Sequence, residues 1–257
     1  MADFLTTYSL TQPDKLAVID DRHNGKIRTL TWKELNQQAN RLVNVLTDIG
    51  VTEPGEKVVW CGQNSIGVVV MTNAARKLGI TSVPLNYRLS DDESAYVTDH
   101  CDATVVYVDA ENAATFERIR DRIPKVKKVL VYDGVAPASM LSCDELMAAA
   151  SPLEPAIIAS REPGATMIYT SGTTGKPKGA LRTSRTSPEQ GLALAQLLGA
   201  SPNDVYLTTG PLYHSGPGGF MVTALAFGQT IITQRKFDPQ DWLRLVDKYK
   251  ASTTFSA

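Results

Sequence analysis

The chain has 257 residues, 43% of them hydrophobic and 21% charged, with 26 basic and 27 acidic side chains. That length supplies core for one large α/β domain or two small ones. A net charge of −1 without a long like-charged run argues against a nucleic-acid surface or a polyelectrolyte tail. The three cysteines, Cys61, Cys101 and Cys143, form no Cys-x-x-Cys pair. An odd, widely spaced set points to small buried side chains in a reducing cytoplasm rather than to a disulfide framework. Met1 to Leu10 has neither the basic segment nor the apolar core of a secretory signal. Apolar runs such as Val68–Met71 fall far short of the roughly 20 residues that a spanning helix needs.

Lys15 to Asp20 and Lys26 to Thr31 read as two strands joined by His23-Asn24-Gly25, since Asn-Gly favours a tight hairpin. Thr31 with Glu34 three residues later forms a capping box. The helix it opens places Leu35, Ala39, Leu42, Val43, Leu46 and Ile49 on one face and stops at Gly50. Lys57–Cys61 is a buried strand, Ser65 to Leu78 a helix, and Thr81–Leu85 a short strand. Ser90 with Glu93 opens the next helix. Ala103–Asp109 is a β-branched strand, Asn112 to Ile123 a helix, Lys128–Tyr132 a strand, and Ser142 with Glu145 frames a short helix. Ser151 to Pro163, with three prolines, reads as a linker or surface strap. A strand at Ala165–Tyr169 follows, then a helix at Pro188–Leu198 and a strand at Val205–Thr209. A glycine-rich turn spans Ser215–Gly219 before a helix to Phe227 and a strand at Thr230–Gln234. The last helix runs from Asp238 to about Lys250. Ser252–Phe255 reads as the start of a central strand, and on that reading the chain is expected to be a fragment. The alternation predicts an α/β fold of mostly parallel sheets covered by helices. Two subdomains are expected, about residues 50–185 and about 1–49 plus 186–257.

The chemistry concentrates in Thr170-Ser171-Gly172-Thr173-Thr174-Gly175-Lys176-Pro177-Lys178-Gly179. Glycines bring backbone N–H groups close to an anion, hydroxyls add donors, and ammonium groups neutralise charge. By composition alone such a segment is also a solvated turn. A Walker A loop would carry four residues between its glycines and then open a helix. Here two residues separate Gly172 from Gly175, and Pro177 holds Lys176 extended. A strand ending at Tyr169 delivers the loop, so the anion would be held by a hairpin.

The full string resembles the phosphate loop of the adenylate-forming superfamily, which includes acyl-CoA synthetases, aryl-CoA ligases and peptide-synthetase adenylation domains. Thr31-Trp32-Lys33-Glu34-Leu35, Val83-Pro84-Leu85-Asn86-Tyr87-Arg88-Leu89, Pro211-Leu212-Tyr213-His214-Ser215-Gly216 and Phe237-Asp238-Pro239 resemble further segments of the CoA-ligase branch, in its order. The resemblance spans nearly the whole chain and implies the N-terminal part of the family's large domain. It implies ATP, Mg2+ and CoA as cofactors and co-substrates, and a carboxylic acid, of the fatty-acid class, as substrate. Thr170, Ser171, Gly172, Thr173, Thr174, Gly175, Lys176 and Lys178 would surround the β- and γ-phosphates. Lys176 stands at a position that varies in the family. His214, Gly216, Gly218 and Gly219 would line the acyl and pantetheine channel, although the glycines also fit a helix-entry turn. Lys236 matches a position near CoA or is a solvated lysine. His23 and His100 read as structural.

After the phosphate loop the sequence has no match to the family's Gly-x-Thr-Glu, whose glutamate helps to hold magnesium, or to its Thr-Gly-Asp, whose aspartate grips the ribose; the string Gly50-Val51-Thr52-Glu53 lies far upstream of the loop. The resemblance therefore implies no metal ligand and no complete catalytic set in this chain, with the C-terminal domain absent. After the loop, Arg182-Thr183-Ser184-Arg185 departs from relatives that carry a histidine and an asparagine there. Two other readings stay open: an aryl-CoA ligase or amino-acid adenylation domain, and a non-catalytic nucleotide- or acyl-binding module.

Overall fold

A computed structural model describes residues 3–156, 164–170, 176–183 and 188–256. In chain order its first elements are α1 (Phe4–Thr11), β1 (Leu16–Asp21), β2 (Ile27–Thr31), α2 (Trp32–Asp48), β3 (Lys57–Cys61), α3 (Ile66–Leu78), β4 (Thr81–Leu85) and α4 (Asp91–His100). Then come β5 (Ala103–Asp109), α5 (Ala113–Arg118), a 3-10 turn (Arg120–Arg122), β6 (Lys128–Tyr132), β7 (Leu141–Ser142), α6 (Cys143–Ala149), β8 (Thr166–Thr170) and β9 (Lys178–Arg182). The remainder is α7 (Pro188–Leu198), β10 (Val205–Thr208), α8 (Ser215–Ala226), β11 (Thr230–Ile232), α9 (Pro239–Tyr249) and β12 (Thr253–Phe255). The architecture is the expected one, mostly parallel sheets with helices between their strands.

The chain divides into two compact units, residues 37–62 with 67–183, and residues 1–36, 63–66 and 184–257. The first holds a seven-stranded sheet in the order β7-β6-β5-β3-β4-β8-β9. Every neighbouring pair is parallel except β8–β9. A parallel sheet needs both faces covered, and β3 to β6 accordingly read as near-continuous apolar runs. Val59, Val83, Val106, Val108, Phe116, Ile119 and Val131 are among the buried residues of this core. The three cysteines are buried and unpaired. Burial raises the thiols of Cys101, to about 11, and Cys143, to about 12, which keeps them unreactive.

The described part of the strap, residues 151–156, is held down by α2. Asn44 Nδ2 donates to Ser151 O (2.8 Å) and Asn40 Nδ2 to Pro152 O (3.1 Å). The Arg41 guanidinium donates to the carbonyls of Met147, Ala148 and Ala150. Lys77 Nζ, buried on α3, bonds Asn40 Oδ1 (2.9 Å) and pairs with Glu154 (2.8 Å).

The second unit holds a five-stranded sheet in the order β12-β10-β11-β1-β2, parallel except for the β1–β2 hairpin. The hairpin turns at Gly25, whose φ of +80° is the left-handed conformation that glycine tolerates. Ile19, Leu207, Ile232 and Leu245 form a core against α9. At the end of β1, the buried Asp21 carboxylate accepts from Arg244 (3.0 Å), Lys248 (2.7 Å) and the Tyr249 hydroxyl (2.7 Å), all on α9.

Several elements differ from the sequence expectation. The expected helix from Asn112 to Ile123 stops at Arg118 and tightens into the 3-10 turn. Asn112 spends its amide on Asp109 Oδ1 (2.6 Å) rather than on a cap, and Arg120 turns back to the Val126 carbonyl (2.7 Å) ahead of β6. α1, capped by Asp3 Oδ1 on the Leu5 and Thr6 N–H groups, was not read from the sequence. Residues 215–219 are the first turns of α8 rather than a separate turn. Among the described residues β12 pairs with β10, in parallel.

The Asp21 network carries a prediction. Burial pushes the carboxyl up, but the bonds from Arg244, Lys248 and Tyr249 outweigh it and hold the group at about 2. A depressed acid stabilises the fold above its unfolded value and loses that contribution as pH falls toward the folded one. Asp21→Asn should lower unfolding free energy by about 1–3 kcal/mol at pH 7, with the gap to wild type closing between about pH 4 and pH 2. Denaturant titration across that range checks it.

Candidate functional site

The glycine-threonine-lysine segment lies at the carboxyl end of β8, in the seven-stranded unit. Ser171, Gly172, Thr173, Thr174 and Gly175 lie outside the described residues, whereas Thr170, Lys176 and Lys178 are described. β8 and β9 are antiparallel, with Tyr169 opposite Gly179 and Thr170 opposite Lys178. The segment is thus the connection of a β-hairpin. Thr170 and Lys178 are exposed at its mouth, and Lys176 is exposed just before β9.

The stem has a built interior. The Tyr169 ring lies against Gly179, where an added Cβ would come within 3.0 Å of both that ring and the Met167 sulfur. On its hydroxyl side Tyr169 meets His100 of α4, with Nδ1 at 2.7 Å from the phenol oxygen. Burial, and then the neighbouring Cys101, Tyr96 and Asp102, push the Tyr169 phenol above its usual range, so it stays protonated. The Tyr96 hydroxyl donates to the Pro177 carbonyl (3.3 Å), and Lys176 Nζ lies 5.0 Å from the centre of the Tyr96 ring. The sequence reading placed His100 among structural residues and did not single out Tyr96. Their position on α4, four residues apart, was visible, but their partner strand was not.

The remaining candidates lie in the five-stranded unit. His214 is the extended N-cap residue of α8, exposed, with its ring 4.5 Å from that of Tyr213. Gly216, Gly218 and Gly219 stand in the first turns of α8. A Cβ on Gly216 would come 2.6 Å from the Phe255 ring, and one on Gly218 would come 2.5 Å from the Leu212 carbonyl oxygen. A Cβ on Gly219 meets nothing within 4 Å. Lys236 is exposed in the bend after β11. Among the described residues no three His, Cys, Asp or Glu side chains group as a metal site, and no helix is long and apolar enough to cross a membrane.

The sequence reading missed Asn64. It is buried, and its amide nitrogen donates to Gly210 O (3.0 Å) and Gln234 O (3.0 Å) while its oxygen accepts from Leu212 N–H (2.8 Å). One side chain therefore fixes the loop that carries Pro211 to His214 and ties it to the end of β11. An isolated asparagine after a strand carries no signal by which sequence could reveal this. Asn64→Ala leaves three backbone groups unpaired, at about 1–3 kcal/mol for each that stays dry. Thermal unfolding should show a loss of at least about 2 kcal/mol, with Asn64→Asp recovering only the acceptor side.

The family model for AMP-binding enzymes matches residues 6–257. The chain is 27% identical over 220 residues to the long-chain-fatty-acid–CoA ligase FadD13 of Mycobacterium tuberculosis, covering 85% of this chain and 42% of that protein. It is 29% identical over 258 residues to the indoleacetate–CoA ligase of Aromatoleum aromaticum, covering 99% of this chain and 49% of that protein. The chain thus spans about half the length of the curated relatives it matches. In fold it resembles the solved N-terminal domain of FACL13 from Mycobacterium tuberculosis, with a TM-score of 0.84 at 24% identity over 98% of this chain and 61% of that one. With the family model matched from residue 6 to residue 257, the chain belongs to the AMP-binding enzyme family, the adenylate-forming superfamily.

Proposed function

We propose that this chain holds the triphosphate of ATP for an ATP-dependent carboxylate–CoA ligase. The observation that carries the reading is the segment from Thr170 to Gly179, a hairpin connection with Thr170 and Lys178 paired at its mouth. In such a reaction a carboxylate oxygen attacks the α-phosphorus of ATP, the bond to the β-phosphate oxygen breaks, and pyrophosphate leaves. The thiolate of CoA then attacks the acyl carbon, forming the C–S bond and releasing AMP. Neither step needs a covalent contribution from the protein. Charge neutralisation and in-line placement carry the first step. Lys178, with Lys176 beside it, supplies positive charge, and the loop hydroxyls and N–H groups supply donors. Among the described residues no three His, Cys, Asp or Glu side chains group where they would grip Mg2+.

A fatty acid is the leading substrate class, supported by the fatty-acid ligase among the relatives. An aromatic acid is the second reading, favoured by the 29% identity to an indoleacetate ligase over nearly all of this chain. His214, Gly219 and Lys236 are the residues proposed for the acyl and CoA side, with Gly216 and Gly218 shaping the α8 entry. Neither a Gly-x-Thr-Glu nor a Thr-Gly-Asp follows the phosphate loop within the 257 residues. On that ground the polypeptide should bind ATP without turning it over.

Titration calorimetry tests the loop. ATP should bind the 257-residue protein, and Lys178→Ala should weaken it about tenfold or more, the loss of one charge-assisted bond. An unchanged affinity removes Lys178 from the site. Rapid thioester formation from fatty acid, ATP and CoA by this polypeptide would overturn the expectation that it does not turn over. In that event a panel of fatty and aryl acids would rank the two substrate readings.

A further inference from the structure

Helix α4 presents two rings one turn apart, Tyr96 and His100, with centroids 5.1 Å apart. His100 meets the incoming arm of the phosphate-loop hairpin, edge-on to Tyr169 at 5.8 Å and 2.7 Å from its hydroxyl. Tyr96 meets the outgoing arm through the Pro177 carbonyl at 3.3 Å and the Lys176 ammonium at 5.0 Å. Behind Tyr169, a Cβ on Gly179 would sit tightly, 3.0 Å from that ring and from the Met167 sulfur. One helix therefore grips both arms of the stem, on either side of residues 171–175. Among the described residues no carboxylate pairs with Lys176, and its ammonium lies over the Tyr96 ring, 5.0 Å from its centre. A ring covers one side of an ammonium and leaves N–H donors free on the other. A lysine also loses much rotamer freedom on gripping an anion, and a contact that restrains it beforehand lowers that loss.

We propose that Tyr96 and His100 are positioning residues for the phosphate loop, and that the Tyr96 ring pre-orients Lys176 as a second cation for the phosphates. This rests on the nucleotide reading above, so its test has one arm without nucleotide. In amide exchange on the 257-residue protein alone, His100→Ala and Tyr96→Leu should speed exchange across 166–182 by about fivefold or more, as a loosened local unit does. Unchanged exchange in both variants overturns the grip on the stem. In ATP titrations, Tyr96→Leu should weaken binding about two- to fivefold, the range of an exposed cation–π contact, while Tyr96→Phe keeps the ring and the affinity. In a Lys176→Ala background the leucine and phenylalanine variants should bind ATP equally. A role limited to packing predicts the same difference in both backgrounds, and that result overturns the pre-orientation of Lys176. If wild type binds no ATP while the exchange differences appear, the nucleotide reading and the lysine's role fall together and the grip on the stem stands.

Discussion

Pro177 decides the course of the chain after the glycine-threonine-lysine segment. A proline lacks an N–H and keeps the preceding residue out of the helical region, so no helix opens at Lys176. The chain instead returns as β9, the one antiparallel pair in an otherwise parallel seven-stranded sheet. An anion at this loop cannot draw on a helix N-terminus, and donors must come from the loop itself and its lysines. The geometry also creates a weakness. β9 is an edge strand, exposed along its whole length and paired with β8 alone among the described residues. The stem is stiffened from its inner side, by Tyr169 lying on Gly179 and by α4.

The order β7-β6-β5-β3-β4 is doubly wound, with the chain going from β3 to β4 on one side and returning to β5 on the other. Sheets of this kind open a ligand crevice at the carboxyl ends of the strands where the winding reverses, here between β3 and β5. That place is filled from within. Tyr107 and Tyr132 stack at 4.3 Å, and a Cβ on Gly62 or Gly67 would collide with the Tyr132 side chain. Asp109 at the end of β5 is occupied by the N–H and amide of Asn112.

Local signals were legible where a single residue carries its own mechanism. The capping boxes Thr31–Glu34 and Ser90–Glu93 are present as read, since each is a two-residue hydrogen-bonded unit. The Asn24-Gly25 hairpin and the strands β3 to β6 follow from turn chemistry and apolar runs. What failed depended on neighbours distant in sequence. α5 gives way to the 3-10 turn after Arg118, where the Arg120 guanidinium reaches the Val126 carbonyl ahead of β6. The loop itself was legible as a string, yet the residues that hold its stem, Tyr96 and His100, lie about 70 residues upstream of it, and their role appears only when α4 and β8 are adjacent.

Glycines make the limit concrete. A glycine admits two opposite arrangements, a close approach of other protein atoms or an open space for a ligand, and the sequence is the same for both. In α8 the two coexist within four residues. Gly216 receives the Phe255 ring, which also stacks on Phe220 at 4.6 Å, and Gly218 receives the Leu212 carbonyl. Volume used by Phe255 and Leu212 cannot also pass an acyl chain. Gly219 alone of the three has open space beside it among the described residues. The first two glycines thus hold α8 against its own unit, and a ligand approaching this helix in the present arrangement would do so on the Gly219 side.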